Sequence, residues 1–219
     1  MTSFYPARAL ILDFGSVVTY SLFETHRDTE RTLGLPENSL TWMGPFDPGS
    51  DPLWQAMQRD EISERDYWLQ RSREVGNMLG QTWTSMADFV QRARSDDPMR
   101  IIRPQALDCI EKVRKQGGKL AILSNELDLF YGADLRQNLP ILKSFDAIVD
   151  ATYTQILKPD PQAYQLCLDE LGLQAGDCVF IDDQIRNIRG AEAIGMRAIH
   201  LDIRDPDAAF SNALQAFGL

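Results

Sequence analysis

The chain has little cysteine: three residues among 219, far apart in sequence and without a CxxC pair. Cys109, Cys167 and Cys178 each fall within an apolar segment, where a thiol behaves as a small buried hydrophobe. We therefore expect none of the three to have a redox role or to ligate a metal.

Positive charge and long apolar runs are also scarce. Lysine and arginine number 22 against 32 acidic residues, which gives a formal net charge of -10. Long-range repulsion excludes nucleic acids and anionic membranes as partners, although a bound divalent cation can still make one pocket attractive to an anionic substrate. No apolar stretch approaches the roughly 20 residues of a membrane helix, and no signal peptide is recognisable. We expect a cytoplasmic protein.

From residue 99 onward, helical and strand patterns alternate, which is typical of a parallel sheet covered by helices. The predicted strands are ALILD at 9–13, KLAILS at 119–124, FDAIV at 145–149, CVFID at 178–182 and MRAIHL at 196–201. Helices are predicted over 104–116, 161–171, 185–194 and from about 206. The pattern predicts an α/β fold with a Rossmann-like, doubly wound parallel sheet.

The segment between the first and second strands has a different pattern. It lacks a convincing buried strand and contains all four tryptophans, which we interpret as core residues. Amphipathic stretches predict helices over 20–33, 51–60, 63–76 and 82–94, with the RSREV stretch as a solvated face. We predict an inserted α-helical cap over 19–98, with Asp96, Asp97 and Pro98 as its return hinge and 1–18 plus 99–219 as the core.

Polar side chains follow the predicted strands, at the sheet edge where ligands of such folds bind. They are Asp13 at the end of the first strand, Ser124 and Asn125 at the end of the second, Lys158 in the loop after the third, and Asp182 and Asp183 at the end of the fourth. Each alone is a weak signal, because an aspartate at a strand end is often only a helix cap. Together and in this order, these residues are a strong signal of a functional site.

The segments LILDFGSVV, AILSNE, ILKPDPQAY and VFIDDQIRNIRGAEAIG resemble the four motifs of the haloacid dehalogenase superfamily. The resemblance covers essentially the whole chain, and the helical insertion is similar to the small α-helical cap of that superfamily. It implies a magnesium-dependent phosphohydrolase that acts on a small phosphorylated metabolite.

Each predicted role matches a family position and the needs of phosphoryl transfer. Asp13 is the expected nucleophile, which forms an aspartyl phosphate. Lys158 and Ser124 are expected to stabilise the transferring group, and Asn125 to help bind the substrate. The expected magnesium ligands are Asp13, the carbonyl of Gly15, Asp182 and Asp183. Asp183 is alternatively expected to orient a metal-bound water or to hold Lys158.

Gly15 departs from the usual family pattern, in which this position carries an aspartate that protonates the leaving group. That proton transfer typically contributes about 100-fold to 10,000-fold in rate. The DFGSVV segment is similar to a branch that includes glucose-1-phosphatase-like members. We therefore expect a substrate with a good leaving group, or an acid supplied by the cap, with His26 and Glu24 as candidates.

Two other functions stay open. A metal-independent 2-haloacid dehalogenase would use the same Asp13, but paired carboxylates at Asp182 and Asp183 disfavour an anionic pocket without a cation. A catalytically weak binding or regulatory protein would explain Gly15 but not the retention of the other site residues. The sequence does not distinguish a monomer from a homodimer, and it does not specify the substrate.

Overall fold

A computed structural model of the chain describes residues 6–93, 98–132, 134 and 138–219. Its strands are β1 (Ala9–Leu12), β2 (Lys119–Ser124), β3 (Ala147–Asp150), β4 (Cys178–Asp182) and β5 (Arg197–His200). Its α-helices of the described ranges are α1 (His26–Leu33), α2 (Pro52–Gln58), α3 (Glu64–Met78), α4 (Met86–Arg92), α5 (Pro104–Lys115), α6 (Leu127–Tyr131), α7 (Ala151–Thr154), α8 (Pro161–Leu171), α9 (Ile185–Ala193) and α10 (Pro206–Ala216). None of these helices is long and apolar enough to cross a bilayer.

The chain divides into two compact units. The sheet unit comprises Met1–Tyr20, Ile101–Leu127 and Arg136–Leu219, and the helical unit comprises Ser21–Arg100 and Asp128–Leu135. Pro98 begins a short 3-10 turn, whereas Asp96 and Asp97 of the predicted hinge lie outside the described residues.

The sheet unit contains a parallel five-stranded sheet in the order β3-β2-β1-β4-β5. Apolar side chains of α8 and α9 pack with alternate residues of the central strands in one core. Helices α5 and α10 contact each other and cover the opposite face, towards which the intervening strand residues point. The α/β, doubly wound fold predicted from the sequence is confirmed.

Local sequence explains where the helices of the sheet unit begin and end. Proline occupies the first turn of α5, α8 and α10. N–H groups in that turn have no acceptor within the helix, so the absence of one from proline costs no hydrogen bond. Asp160 caps α8 by accepting a bond from the Gln162 N–H (2.9 Å), and Gly172 ends that helix in the left-handed conformation. The three cysteines are buried free thiols, as expected.

The helical unit is built on an aromatic core. All four tryptophans are buried, and Phe23 lies within 6 Å, between ring centroids, of Trp42, Trp54 and Trp68. Helix α1 begins at His26 rather than near residue 20, because Ser21 and Glu24 form a turn of their own: the Ser21 N–H donates to Glu24 Oε2 (2.8 Å).

The prediction that RSREV forms a solvated face is wrong for its first arginine. Arg71 is buried and donates to Asp51, a fully buried carboxylate that also accepts a bond from the Tyr67 hydroxyl (2.7 Å). Its guanidinium lies 5.0 Å from the ring centroid of Trp42. Because an unpaired buried charge is very unfavourable, Arg71 and Asp51 are buried only as a pair. Arg73 is exposed.

Candidate active site

The site lies where the strand order of the sheet reverses. From β1 the chain proceeds to β2 and β3 on one side, whereas β4 and β5 lie on the other. In the register of the central pair, Leu12 is opposite Ile181, so Asp13 and Asp182 are adjacent at the carboxyl edge. This is the position at which doubly wound sheets bind their ligands.

Lys158 joins these two aspartates. Its Nζ lies 2.9 Å from Asp13 Oδ1 and 2.7 Å from Asp182 Oδ2. The side chains of Lys158 and Asp182 are 1% and 0% exposed, whereas that of Asp13 is 14% exposed, so of the three only Asp13 is open to an approaching molecule. Burial disfavours the charged lysine, but the two carboxylates outweigh that effect and raise the pKa of Lys158 above its ordinary value.

Asn125 fixes the backbone that carries Lys158. Its Oδ1 accepts a bond from the Lys158 N–H (2.8 Å), and its Nδ2 donates to the Lys158 carbonyl (3.2 Å). Both ends of the amide therefore join the end of β2 to the loop that follows α7. The Lys158–Pro159 peptide is cis, and the Lys158 ammonium lies 5.4 Å from the Phe180 ring centroid.

The paired aspartates have different surroundings. Asp182 Oδ1 accepts bonds from the Gln184 N–H (2.8 Å) and from Asn187 Nδ2 (3.0 Å), while its Oδ2 accepts from Lys158 and from Asn187 Nδ2 (3.1 Å). Asp183 is only half-buried, and its Oδ2 accepts a longer bond from Gln184 Nε2 (3.3 Å). Thus Asp182, not Asp183, holds Lys158.

Asn187 and Gln184 are contributors that the sequence reasoning missed. They follow the paired aspartates at the start of α9, so their spacing from Asp182 was the available signal. A further contact fixes Asn187: the Tyr164 hydroxyl donates to the Asn187 carbonyl (2.7 Å). A Cβ added at Gly190 would lie 2.7 Å from Tyr164 Oη and 2.8 Å from Pro159 Cβ. Glycine at 190 therefore allows α9 to approach the loop of Lys158.

The residues present fit a hard divalent cation. One carboxylate oxygen from each of Asp13, Asp182 and Asp183 lies within 4.8 Å of the others. Magnesium prefers oxygen ligands of this kind. Asp13 and Asp183 are partly exposed, whereas Asp182 is fully buried, so the first two carboxylates are the more accessible to an ion from solvent.

The turn after Asp13 spans Phe14–Val18 and is closed by a bond from the Thr19 N–H to the Phe14 carbonyl (3.0 Å). Gly15 has φ -65° and ψ 137°, an extended conformation that any L residue can adopt. The backbone conformation therefore does not require a glycine at this position. Ser16, in contrast, has φ 62°, in the left-handed region that favours glycine.

The remaining candidates have local roles in the structure. Ser124 is buried at the end of β2, and its Oγ accepts a bond from the Glu126 N–H (3.3 Å). His26 lies buried in the aromatic core of the helical unit, and burial lowers its pKa to about 4, so at neutral pH it carries no second proton to donate. Glu24 accepts the Ser21 N–H in the turn before α1.

Comparison with known proteins identifies the family. The sequence model of the haloacid dehalogenase-like hydrolases matches residues 8–195. The chain belongs to that family and is a hydrolase, as the four strand-end motifs predicted.

Two similar curated proteins differ greatly in length. Acyl-CoA dehydrogenase family member 10 of Mus musculus is 27% identical over 97% of this chain, which spans only 19% of that protein. Phosphatase MT3486 of Mycobacterium tuberculosis (strain CDC 1551 / Oshkosh) is 27% identical over 89% of this chain and 87% of its own length.

Two solved structures share the fold. The HAD-hydrolase YfnB of Bacillus subtilis, bound to magnesium, has a TM-score of 0.71 at 14% identity and covers 98% of this chain and 100% of its own. The L-2-haloacid dehalogenase of Xanthobacter autotrophicus has a TM-score of 0.58 at 20% identity, and the match covers 89% of this chain and 77% of that one. Such likenesses establish the fold alone, because phosphatases and dehalogenases share it.

Proposed function

We propose that this hydrolase is a magnesium-dependent phosphohydrolase that acts on a small phosphorylated metabolite through an aspartyl-phosphate intermediate. The observation that carries the proposal is the cluster of Asp13, Asp182 and Asp183, whose carboxylates lie within 4.8 Å of one another beside the buried Lys158. Three negative charges and one positive charge leave an excess that a divalent cation would offset, which favours a cation-dependent reaction.

Asp13 supplies the nucleophile. One of its carboxylate oxygens attacks phosphorus in line, a P–O bond to Asp13 forms, and the bond to the leaving oxygen breaks. Water then attacks the same phosphorus and releases inorganic phosphate, which restores the carboxylate. Lys158, 2.9 Å from Asp13 Oδ1, holds that side chain and places a positive charge beside the transferring group. A bound magnesium ion would supply further charge neutralisation at the phosphoryl oxygens.

The ligand assignment follows from the different surroundings of the two adjacent aspartates. Asp183 and Asp13 would bind the ion through carboxylate oxygens, and Gly15 through its carbonyl. Asp182 would act mainly by fixing Lys158, since the Gln184 N–H, Asn187 and Lys158 already donate to its oxygens. Ser124 would bind phosphoryl oxygens through its hydroxyl after rotation from the Glu126 N–H.

Gly15 narrows the substrate class. With no carboxyl group at this position, the leaving oxygen departs without the usual proton donor, and His26, neutral in its buried core, is a poor replacement. We therefore propose substrates whose leaving group is stable as an anion or departs easily, such as anomeric sugar phosphates or acyl phosphates. Alkyl phosphates should be slow, because general acid catalysis is typically worth at least about 100-fold.

The test is a panel of substrates for the purified protein: acetyl phosphate, an aryl phosphate, an anomeric sugar phosphate, glycerol phosphate and 2-chloropropionate. Each is assayed with magnesium and with chelator, for Asp13→Asn and for the exposed Asp207→Asn as the matched control. Phosphate release that requires both magnesium and Asp13, in the order of leaving-group ability, is expected. Halide release that persists in chelator would instead establish a dehalogenase, and inactivity towards all substrates would favour a binding protein.

A further inference from the structure

Arg103 is the largest fully buried side chain of the described residues, with 1% exposure, and it contacts the turn after the nucleophile. The segment that carries it runs antiparallel to the end of that turn: Thr19 pairs with Ile102, and the Tyr20 N–H donates to the Ile101 carbonyl (2.8 Å). The Arg103 N–H donates to the Val18 carbonyl (2.9 Å). The backbone of Arg103 thus fixes the carboxyl end of the turn.

The guanidinium of Arg103 reaches the middle of the same turn. Its Nη2 donates to the Ser16 carbonyl (2.9 Å), and its Cζ lies 5.0 Å from the Tyr20 ring centroid. Ser16 is the residue with φ 62°, a conformation that non-glycine residues adopt only when their surroundings impose it. One arginine therefore contacts the turn at two points, and one of these is its strained residue.

This conformation bears on Gly15. The Gly15 carbonyl belongs to the peptide between residues 15 and 16, whose orientation is set by ψ of Gly15 and φ of Ser16. If Ser16 relaxed to negative φ, that peptide would rotate and the carbonyl would point elsewhere. Arg103, through its bond to the Ser16 carbonyl, opposes that rotation.

We propose that Arg103 is a positioning residue that keeps the Gly15 carbonyl in place for the metal site by holding Ser16 in the left-handed conformation. The inference rests on the proposed function as far as the metal is concerned, but the effect on the turn does not. In this role Arg103 supports the metal site through the turn and contacts neither the substrate nor the ion.

The first test is amide hydrogen exchange of the metal-free protein. In Arg103→Met, which removes the donors but keeps an unbranched buried side chain, the Thr19 amide that closes the turn should exchange about tenfold faster or more. The amides of β1 and β4 should keep their protection. Arg114→Met serves as the control, because Arg114 lies on the adjoining α5 and pairs with Asp146 at the surface (2.9 Å). Equal acceleration in β1 and at Thr19 would mean general destabilisation and would overturn the proposal.

The second test is metal binding, measured by calorimetry with Mg²⁺ or by water-proton relaxation with Mn²⁺. Arg103→Met should weaken binding about 10-fold to 100-fold, as loss of an orienting residue typically does. Ser16→Gly is then combined with it, because glycine adopts positive φ without a steric penalty. The double variant should recover part of the lost affinity, whereas an effect that Ser16→Gly does not alter would show that Arg103 does not act through this residue.

Two further experimental results would distinguish failure of this inference from failure of the proposed function. If the wild-type protein binds neither ion, the metal assignment fails, while exchange at Thr19 still decides the role of Arg103 in the turn. If Arg103→Met does not fold, Arg103→Lys keeps a charge and one donor nitrogen, and its defect should likewise diminish in the presence of Ser16→Gly. An undiminished defect in that pair would overturn the proposal.

Discussion

Asp182 Oδ2 accepts a hydrogen bond from Lys158 Nζ at 2.7 Å, and both side chains are almost completely buried. Asp183, next in sequence, is half-buried and takes no part in that pair. The two aspartates therefore differ in role: the first fixes the buried lysine, whereas the second is partly exposed to solvent.

Exchanging each aspartate for asparagine should separate these roles. Asp182→Asn leaves the buried Lys158 with one carboxylate fewer and should lower the free energy of unfolding by about 3 kcal/mol or more. Asp183→Asn, at a partly exposed position, should change stability by less than about 1 kcal/mol but raise the magnesium concentration needed for half-maximal activity. Urea unfolding and magnesium titration of both variants check this, and equal stability losses would contradict this difference in role.

The raised pKa of Lys158 sets the direction of a pH effect. A group whose pKa is higher in the folded state contributes its full stabilisation below its unfolded value, about 10.4, and loses it only as pH rises through the folded value. The difference in unfolding free energy between the wild type and Lys158→Met should therefore stay constant from pH 7 to about pH 10. The difference should shrink only above about pH 10.4, and a difference that stayed constant there as well would show that folding does not raise the pKa of Lys158.

Gly15→Asp should add the missing proton donor, because φ -65° and ψ 137° suit an aspartate as well as a glycine. We expect faster hydrolysis of glycerol phosphate, by up to about 100-fold, and little change for acetyl phosphate, whose leaving group does not need the proton. Gly15→Asn is the matched control, since it has the same size but no carboxyl proton. Equal rates for both variants would indicate that protonation is not what limits the wild type.

Gly190→Ala should disturb the site from a distance. The added Cβ would lie 2.9 Å from the Pro159 carbonyl and closer still to Tyr164 Oη, so α9 and the Lys158 loop must separate. Overpacking of this kind costs about 1–3 kcal/mol, and we expect a fall in kcat through displacement of Lys158. Gly176→Ala is the control, because no described atom lies within 4 Å of its added Cβ. An active Gly190→Ala enzyme of unchanged stability would disprove the tight contact.

His26 should make the protein sensitive to acid. Burial lowers its pKa from 6.5 to about 4, so between these values the unfolded chain binds a proton that the folded chain does not. Stability should therefore fall as pH decreases from 6.5 to 4, with His26 contributing up to about 3 kcal/mol of the loss. His26→Gln should show a shallower decline in urea unfolding across this interval than the wild type. A slope in His26→Gln equal to that of the wild type would show that His26 is not the titrating group.

The sequence alone determined the fold class and predicted one shared edge of the sheet for the candidate site residues. Buried strands are continuous apolar runs, and the end of each run and the loop that follows it lie at the carboxyl edge of a parallel sheet, so the sequence assigned Asp13, Ser124, Lys158 and Asp182 to one edge. Helix boundaries followed wherever a local signal marks them, as proline and Gly172 do for α8.

Only the tertiary structure decided which side chains pair. Asp182 and Asp183 are adjacent and chemically identical, and the choice of Lys158 between them depends on how the Asn125-fixed loop and α9 pack. The sequence pattern predicts a surface position for Arg71, but the fold places it beside Asp51, twenty positions earlier. Nothing in the sequence indicates that Arg103 contacts Ser16, 87 positions away. Periodicity and local propensity describe the backbone over a few turns, whereas the partner of a buried charge is set by the three-dimensional packing of segments far apart in the chain.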